Sequence, residues 1–188
     1  LYGIDSRAEE EIKWLTQYYG DDVKKMFGHP ICTGDTATKI LWIKNHEPEV
    51  YEKTYKFLTG SSYLTAKLTG KYVIDQFLAK GSFRPLYNRD GTINKENCRL
   101  YCRPDQIAEC AYSFETAGTV TKKASKECGL KEGTLVIVGT GDSTAEAISV
   151  GLVESGTVFF QYGSSMFYYY CVDRYVDDYV SASGNGAL

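Results

Sequence analysis

The stretch Gly133-Thr-Leu-Val-Ile-Val-Gly-Thr-Gly141, followed by Asp142-Ser-Thr-Ala-Glu-Ala-Ile-Ser-Val-Gly-Leu152, constrains the fold more than any other. A short β-branched run between glycines reads as a buried strand. The small-residue segment after it reads as a helix that can pack close to a neighbour. Asp142 stands at the junction. An aspartate just before a helix predicts an N-cap, whose side chain accepts from first-turn N–H groups. The helix N-terminus also favours a carboxylate. The same carboxylate, flanked by glycines that let a ligand approach the backbone, is placed to accept a proton from a hydroxyl. The two roles are compatible, and local sequence leaves both open.

The rest of the chain supplies an α/β context. Ser6-Arg7-Ala8-Glu9 has the capping-box pattern, and Ala8, Ile12, Leu15 and Tyr19 follow as an apolar stripe that Gly20 ends. Helices are expected over DTATKILWIKNHE, over PEVYEKTYKFL with Pro48 in its first turn, and over SSYLTAKLTG, stopped by Gly70. KYVID reads as a short strand and DQFLAKGSF as a helical turn. LYNRDGTINKEN carries a D-G turn signal. PDQIAECAYS and GTVTKKASKECGL read as helices, the second ended by Gly129. GTVFFQYGSSMFYYYCVD reads as two strands joined at Gly163-Ser164-Ser165. Period two would bury alternate rings of its aromatic run, which argues against an aromatic binding platform.

Composition excludes several functions. Of 188 residues, 43% are hydrophobic and 24% charged, which is ordinary for a globular chain. A net charge of −3 gives no footprint for nucleic acid or an anionic membrane. No apolar run approaches the roughly 20 residues of a membrane span. Six cysteines occur without CxxC spacing, and His29 and His46 are remote in sequence from Cys98, Cys102 and Cys110. No metal site is expected from them. Scattered cysteines with no signal peptide predict a cytoplasmic location.

Gly163, Ser164 and Ser165 could offer N–H and O–H donors to a phosphate, or form an ordinary hairpin turn. Asp5 and Arg7 could be a local ion pair beside a helix start, where an exposed pair contributes only about 0–1 kcal/mol.

Order and spacing add a resemblance. YGIDSRAEEE is similar to a strand-to-helix segment with Asp-x-Arg in the FGGY family of carbohydrate kinases. TATKILWIKNHEPEVYEKTYKFLTGSSYLTAKLTGKYVIDQFLAKGS resembles that family's long segment, with Lys-Leu-Trp-like, Glu-Pro-Glu and Leu-Thr-Gly pieces and an Asp-led turn. GTVTKKASKECGLKEGTLVIVGTGDSTAEAISVGL resembles the last strand and helix of its first domain, and GTVFFQYGSS the opening of its second. The pieces run in order nearly end to end and look most like the xylulokinase-type branch.

The resemblance implies a partial actin-like, ribonuclease-H-like ATPase fold with a helix-rich first part. Residues 1–153 would be the later part of the N-terminal, sugar-binding domain, and residues 154–188 the start of the C-terminal, nucleotide-binding domain. It implies transfer of the γ-phosphoryl of ATP, with Mg2+, to a hydroxyl of a small-molecule sugar, a pentulose such as D-xylulose. Asp142 would be the base. Asp5, Ser143 and Thr144 would face the sugar, and Gly163, Ser164 and Ser165 the phosphates. Ser164 stands where the family usually has threonine. The family's glycine-rich Asp-x-Gly-Thr hairpin is not in this sequence, so the isolated 188 residues are expected to be an inactive fragment. Gluconate, ribulose, rhamnulose and autoinducer-sugar kinases remain alternatives, as does a non-catalytic sugar-binding relative. Ser143, where glycerol kinases usually carry Gln, argues against glycerol. A homodimer is left open.

Overall fold

A computed structural model describes residues 5–163 and 166–174. The elements alternate in the order expected of an α/β chain, and helices dominate the first part. Helix α1 (Glu9–Tyr19) is followed by a short 3-10 turn (Gly20–Asp22), α2 (Val23–Phe27), α3 (Thr36–His46), α4 (Pro48–Lys53) and α5 (Gly60–Thr69). Then come β1 (Val73–Asp75), α6 (Gln76–Lys80), α7 (Lys95–Tyr101), a 3-10 turn (Pro104–Gln106) and β2 (Glu109–Ala111). The series closes with β3 (Thr116–Thr119), α8 (Lys122–Cys128), β4 (Leu135–Ile137), α9 (Asp142–Ser149), β5 (Val158–Tyr162) and β6 (Met166–Tyr170).

The strands form pairs. β1 and β2 are parallel with Ile74 opposite Cys110, β3 and β4 are antiparallel, and β5 and β6 are an antiparallel hairpin with Phe160 opposite Tyr168. The core lies between α1, α3, α7 and the β1–β2 pair. Leu15, Phe27, Ile40, Ile74, Phe83, Leu86, Tyr101 and Ile107 are all within 1% of complete burial there. Each such side chain contributes about 1.5–3 kcal/mol by leaving water. Gln106, fully buried, knits the polar backbone beneath this core. Its amide donates to the carbonyls of Tyr51 (3.2 Å) and Thr54 (2.9 Å), and its oxygen accepts from the Arg103 N–H (3.0 Å).

Much of the expected pattern is present. The α1 stripe packs inward at Ala8 and Leu15, Pro48 opens α4, and Gly70 takes the left-handed φ of 75° that ends α5. Five expectations need correction. Ser6 makes no capping box, because α1 starts at Glu9 with Ala8 in the cap position and no side-chain cap bond. The helix at Pro48 stops at Lys53, since Phe57 instead bridges Ile107. PDQIAECAYS is a 3-10 turn and a strand, with its backbone drawn into pairing beside β1. Thr116–Thr119 is strand β3, and helix α8 begins only after the Thr121 cap. β4 is a strand as expected but is not buried, with Leu135 70% and Ile137 56% exposed.

Among the described residues, no helix is long and apolar enough to cross a membrane.

Candidate functional site

The loop from β4 into α9 is built by three neighbouring segments. Its Val138 N–H donates to the Glu115 carbonyl and its Gly139 N–H to the Ser113 carbonyl, both at 2.9 Å. The Thr65 hydroxyl of α5 reaches the Val138 carbonyl at 3.3 Å. Gly139 has φ +73°, a conformation that L side chains strain to adopt. Gly141 lies against α6, where a Cβ would meet Leu78 Cδ2 at 3.4 Å. Gly139 is required by its backbone turn, whereas at Gly141 a side chain would meet Leu78 only in ordinary contact.

This geometry presents Asp142 at the surface. The helix cap is Gly141, with extended backbone, and Asp142 is the first helical residue. The expectation of Asp142 as N-cap is corrected by one position. Its Oδ1 accepts instead from the adjacent Ser143 N–H at 2.8 Å, and the residue is exposed. An ionised carboxylate fixed at a helix start and open to solvent can accept a hydrogen bond from an incoming hydroxyl.

A second carboxylate supports the loop from below. Asp75 ends β1, caps α6 and is 2% exposed. Its Oδ2 accepts from the Leu78 N–H (3.1 Å) and from the Thr140 hydroxyl (3.0 Å), whereas Oδ1 has no hydrogen-bond partner. Burial pushes its pKa above the ordinary carboxylate value, and the N–H and hydroxyl donors oppose that shift. Neither Asp75 nor Thr140 stands out in the sequence as a site residue. The one signal for Asp75 was its place between a strand and a helix, as for Asp142.

The β5–β6 hairpin docks over the start of α9. Tyr169 Oη lies 2.9 Å from Ser143 Oγ, and its ring packs edge-on to Phe77 of α6, with centroids 5.6 Å apart. Ser143 thus joins the helix to the hairpin. Thr144 points inward at 1% exposure, with its hydroxyl oxygen unpartnered. Gly163 follows β5 and is exposed, while Ser164 and Ser165 lie outside the described residues. Alternate hairpin residues are half-buried, as period two requires, leaving Phe160, Tyr162, Tyr168 and Tyr170 exposed on the other face.

Asp5 occupies a different place. Arg7 grips it with two bonds, Nε to Oδ1 and Nη2 to Oδ2, both 2.8 Å, and holds its carboxyl well below the usual range. The Arg7 guanidinium also lies 4.4 Å over the Trp42 ring. These residues, with Ala8, Lys39 and Ile43, line a cavity of about 90 Å³ whose walls include no residue of α9. The structure therefore gathers Asp142, Ser143 and Thr144 beside the hairpin and sets Asp5 in its own recess, away from α9.

Comparison with known proteins follows this layout. Residues 3–149 match the FGGY family of carbohydrate kinases, N-terminal domain. The chain is similar to a xylulose kinase of Bacillus subtilis (strain 168), 27% identical over 161 residues, covering 86% of this chain and 32% of that relative. It is also similar to an autoinducer-2 kinase of Enterobacter sp. (strain 638), 26% identical, covering 81% of this chain and 29% of the relative. The solved structure of a gluconate kinase from Lactobacillus acidophilus superposes with a TM-score of 0.76 at 22% identity, covering 88% of this chain and 34% of that one. The chain thus spans about a third of the length of the relatives it matches. Its fold is a helix-rich part of the actin-like ATPase fold.

Proposed function

Because the chain belongs to the FGGY family of carbohydrate kinases, we propose that it carries the sugar-side half of an ATP-dependent phosphotransfer site, acting on a pentulose such as D-xylulose. The observation that carries this reading is the exposed Asp142 carboxylate, held at the first position of α9 by the Ser143 N–H and by the glycine loop behind it. In this reading Asp142 accepts a hydrogen bond from the sugar hydroxyl, aims its oxygen, and takes the proton late. Phosphoryl transfer through a loose transition state demands positioning and charge stabilisation more than a strong nucleophile. Ser143, half-buried beside Asp142, is assigned to the sugar with it, whereas Thr144, turned inward at 1% exposure, and Asp5, held by Arg7 in a recess that α9 does not line, do not face that ligand in this arrangement, which corrects the expectation for both. Tyr169 bonds Ser143 and so ties the sugar-side helix to the hairpin.

ATP would supply the phosphoryl group, and Mg2+ would neutralise charge on it. The donors of Gly163, Ser164 and Ser165 suit phosphate oxygens, and the exposure of Gly163 at the end of β5 is consistent with that use. Residues 1–153 are assigned to the N-terminal, sugar-binding domain and 154–188 to the nucleotide-binding one. The family match ending at residue 149, just before the hairpin segment, supports that division. A cytoplasmic location is part of the same proposal.

The test is Asp142→Asn in the whole protein, with sugar-dependent ADP release as the readout. A loss of about 10²–10⁴-fold in turnover, with unchanged thermal unfolding, is expected. Turnover near the wild-type value would remove Asp142 from the role. Profiling D-xylulose, L-ribulose, gluconate and glycerol then decides the substrate, since relatives named for xylulose, autoinducer-2 and gluconate are all similar to the chain.

A further inference from the structure

A second polar cluster lies between α2 and α3, outside the residues given to phosphotransfer. Gly28, with φ +81°, turns the chain out of α2 and starts a loop that carries His29, Cys32 and Asp35 at three-residue intervals. One ligand-capable atom from each residue falls within 4.8 Å of the other two. We propose that His29, Cys32 and Asp35 form a binding site for a divalent cation of the zinc class.

The histidine tautomer is the first support. His29 Nδ1 lies 2.8 Å from the Pro30 carbonyl oxygen, which can only accept, so Nδ1 carries the hydrogen. In a neutral ring Nε2 then presents a lone pair. It faces Asp35 Oδ1 at 3.3 Å, so two acceptors meet and a positive centre is needed between them. A second ring proton can serve, and so can a metal ion. A backbone carbonyl holding the remote ring nitrogen is the arrangement that orients metal-bound histidines.

The rigidity of the loop is the second support. The Asp35 side chain is only 3% exposed and that of His29 14%. Asp35 Oδ2 accepts the Cys32 N–H at 2.8 Å, and the Asp35 N–H donates back to the Cys32 carbonyl at 3.1 Å. The Thr38 hydroxyl fixes the Asp35 carbonyl at 2.8 Å. Oδ1 is the oxygen that faces the histidine. Gly34 lies beside the Cys32 sulfur, which a Cβ there would touch at 3.4 Å.

The donor set then selects the ion. Nitrogen, sulfur and carboxylate oxygen suit Zn2+ and its borderline neighbours, whereas Mg2+ and Ca2+ prefer oxygen alone. Zinc bonds of about 2.0–2.3 Å in a tetrahedron place ligand atoms roughly 3.3–3.8 Å apart. The His29–Asp35 separation already falls there, and the exposed Cys32 can close the remainder. Arg84, whose guanidinium donates to the Phe27 carbonyl at 3.1 Å, brings a positive charge near His29. The Asp35 carboxylate offsets it, and a metal bound to Cys32 would displace the thiol proton and add the sulfur's charge. The three ligands leave one position on the solvent side for water.

Titration of the purified protein with Co2+ tests this. One Co2+ per chain is expected, with a sulfur-to-cobalt absorption band and tetrahedral d–d bands, both abolished by competing Zn2+. Cys32→Ser removes the sulfur band while the other five cysteines stay, and His29→Gln weakens Co2+ binding at least tenfold. Cys32→Ser keeps the backbone and Thr38 bonds that hold Asp35, and of the Asp35 contacts His29→Gln removes only that between Nε2 and Oδ1, where the metal would sit. No sulfur band at millimolar Co2+ overturns the proposal, and so does a band that persists in Cys32→Ser.

Discussion

Replacing Thr140 with Val tests how the loop bearing Asp142 is held, because it removes one hydroxyl at nearly constant volume. The hydroxyl donates to Asp75 Oδ2 at 3.0 Å, and the Leu78 N–H is that oxygen's other donor. A hydrogen bond to a charged group contributes about 1.5–3 kcal/mol, and one between neutral groups about 0.5–1.5 kcal/mol. The expected cost is therefore about 2 kcal/mol where Asp75 is ionised and about 1 kcal/mol where it is protonated. Burial raises the folded-state pKa of Asp75 above its ordinary 3.8. Below 3.8 the group is protonated in both folded and unfolded chains, and its contribution to stability is fully present. As pH rises through the folded value, the unfolded chain gains more by ionising, and that contribution is lost. Thr140→Val pushes the folded value higher still, so its penalty grows with pH across that window and then levels off. Asp75→Asn removes this group's share of the slope, and in that background Thr140→Val costs about 1 kcal/mol at every pH. Urea unfolding from pH 3.5 to 8 at constant ionic strength reads all four corners of the cycle. A Thr140→Val penalty equal at both ends of the range would refute the coupling, as would an unchanged pH slope in Asp75→Asn.

Two further substitutions test the scaffold. Gly139→Ala meets no neighbour within 4 Å but must adopt φ +73°, so it should cost about 1–2 kcal/mol in chemical denaturation, and an unshifted midpoint would show that the loop has another path. Gln106→Ala strips partners from the Tyr51 and Thr54 carbonyls and the Arg103 N–H, and should cost about 3 kcal/mol, read by the same unfolding assay.

Local signals carried the helices because their causes are local. The Ala8–Tyr19 stripe, Pro48 and Gly70 each act within one or two turns of themselves. The strands were harder where pairing came from a distance. Glu109–Ala111 is a strand because Val73–Asp75 lies alongside it, and a three-residue segment has too little pattern to declare that partner. Thr116–Thr119, with Gly118 at its centre, has low strand propensity and is held by β4 and α5. Leu135 and Ile137 look like core residues in sequence, yet both are exposed among the described residues. The His29, Cys32 and Asp35 cluster escaped for a similar reason. The clustered cysteines Cys98, Cys102 and Cys110 are the ones that draw the eye to metal spacing, both histidines are remote from them, and the turn that gathers three different residue types is set by Gly28 and by the Asp35 bonds.

The two aspartates of the candidate site show what environment adds to sequence. Each ends a strand or strand-loop and starts a helix, VID before QFLAK and VGTGD before STAEA. By pattern alone they have equal standing as caps or as bases. The structure gives the N-cap role to Asp75, which is buried, and leaves Asp142 one residue inside its helix and exposed. A buried carboxylate with a raised pKa cannot meet a substrate hydroxyl, but it can tether Thr140 and so set where the next two residues lie. An exposed carboxylate at a helix start can meet a substrate and needs its backbone held still to aim it. The division of labour follows from burial, and the Thr140 hydroxyl is the bond through which the first aspartate positions the second.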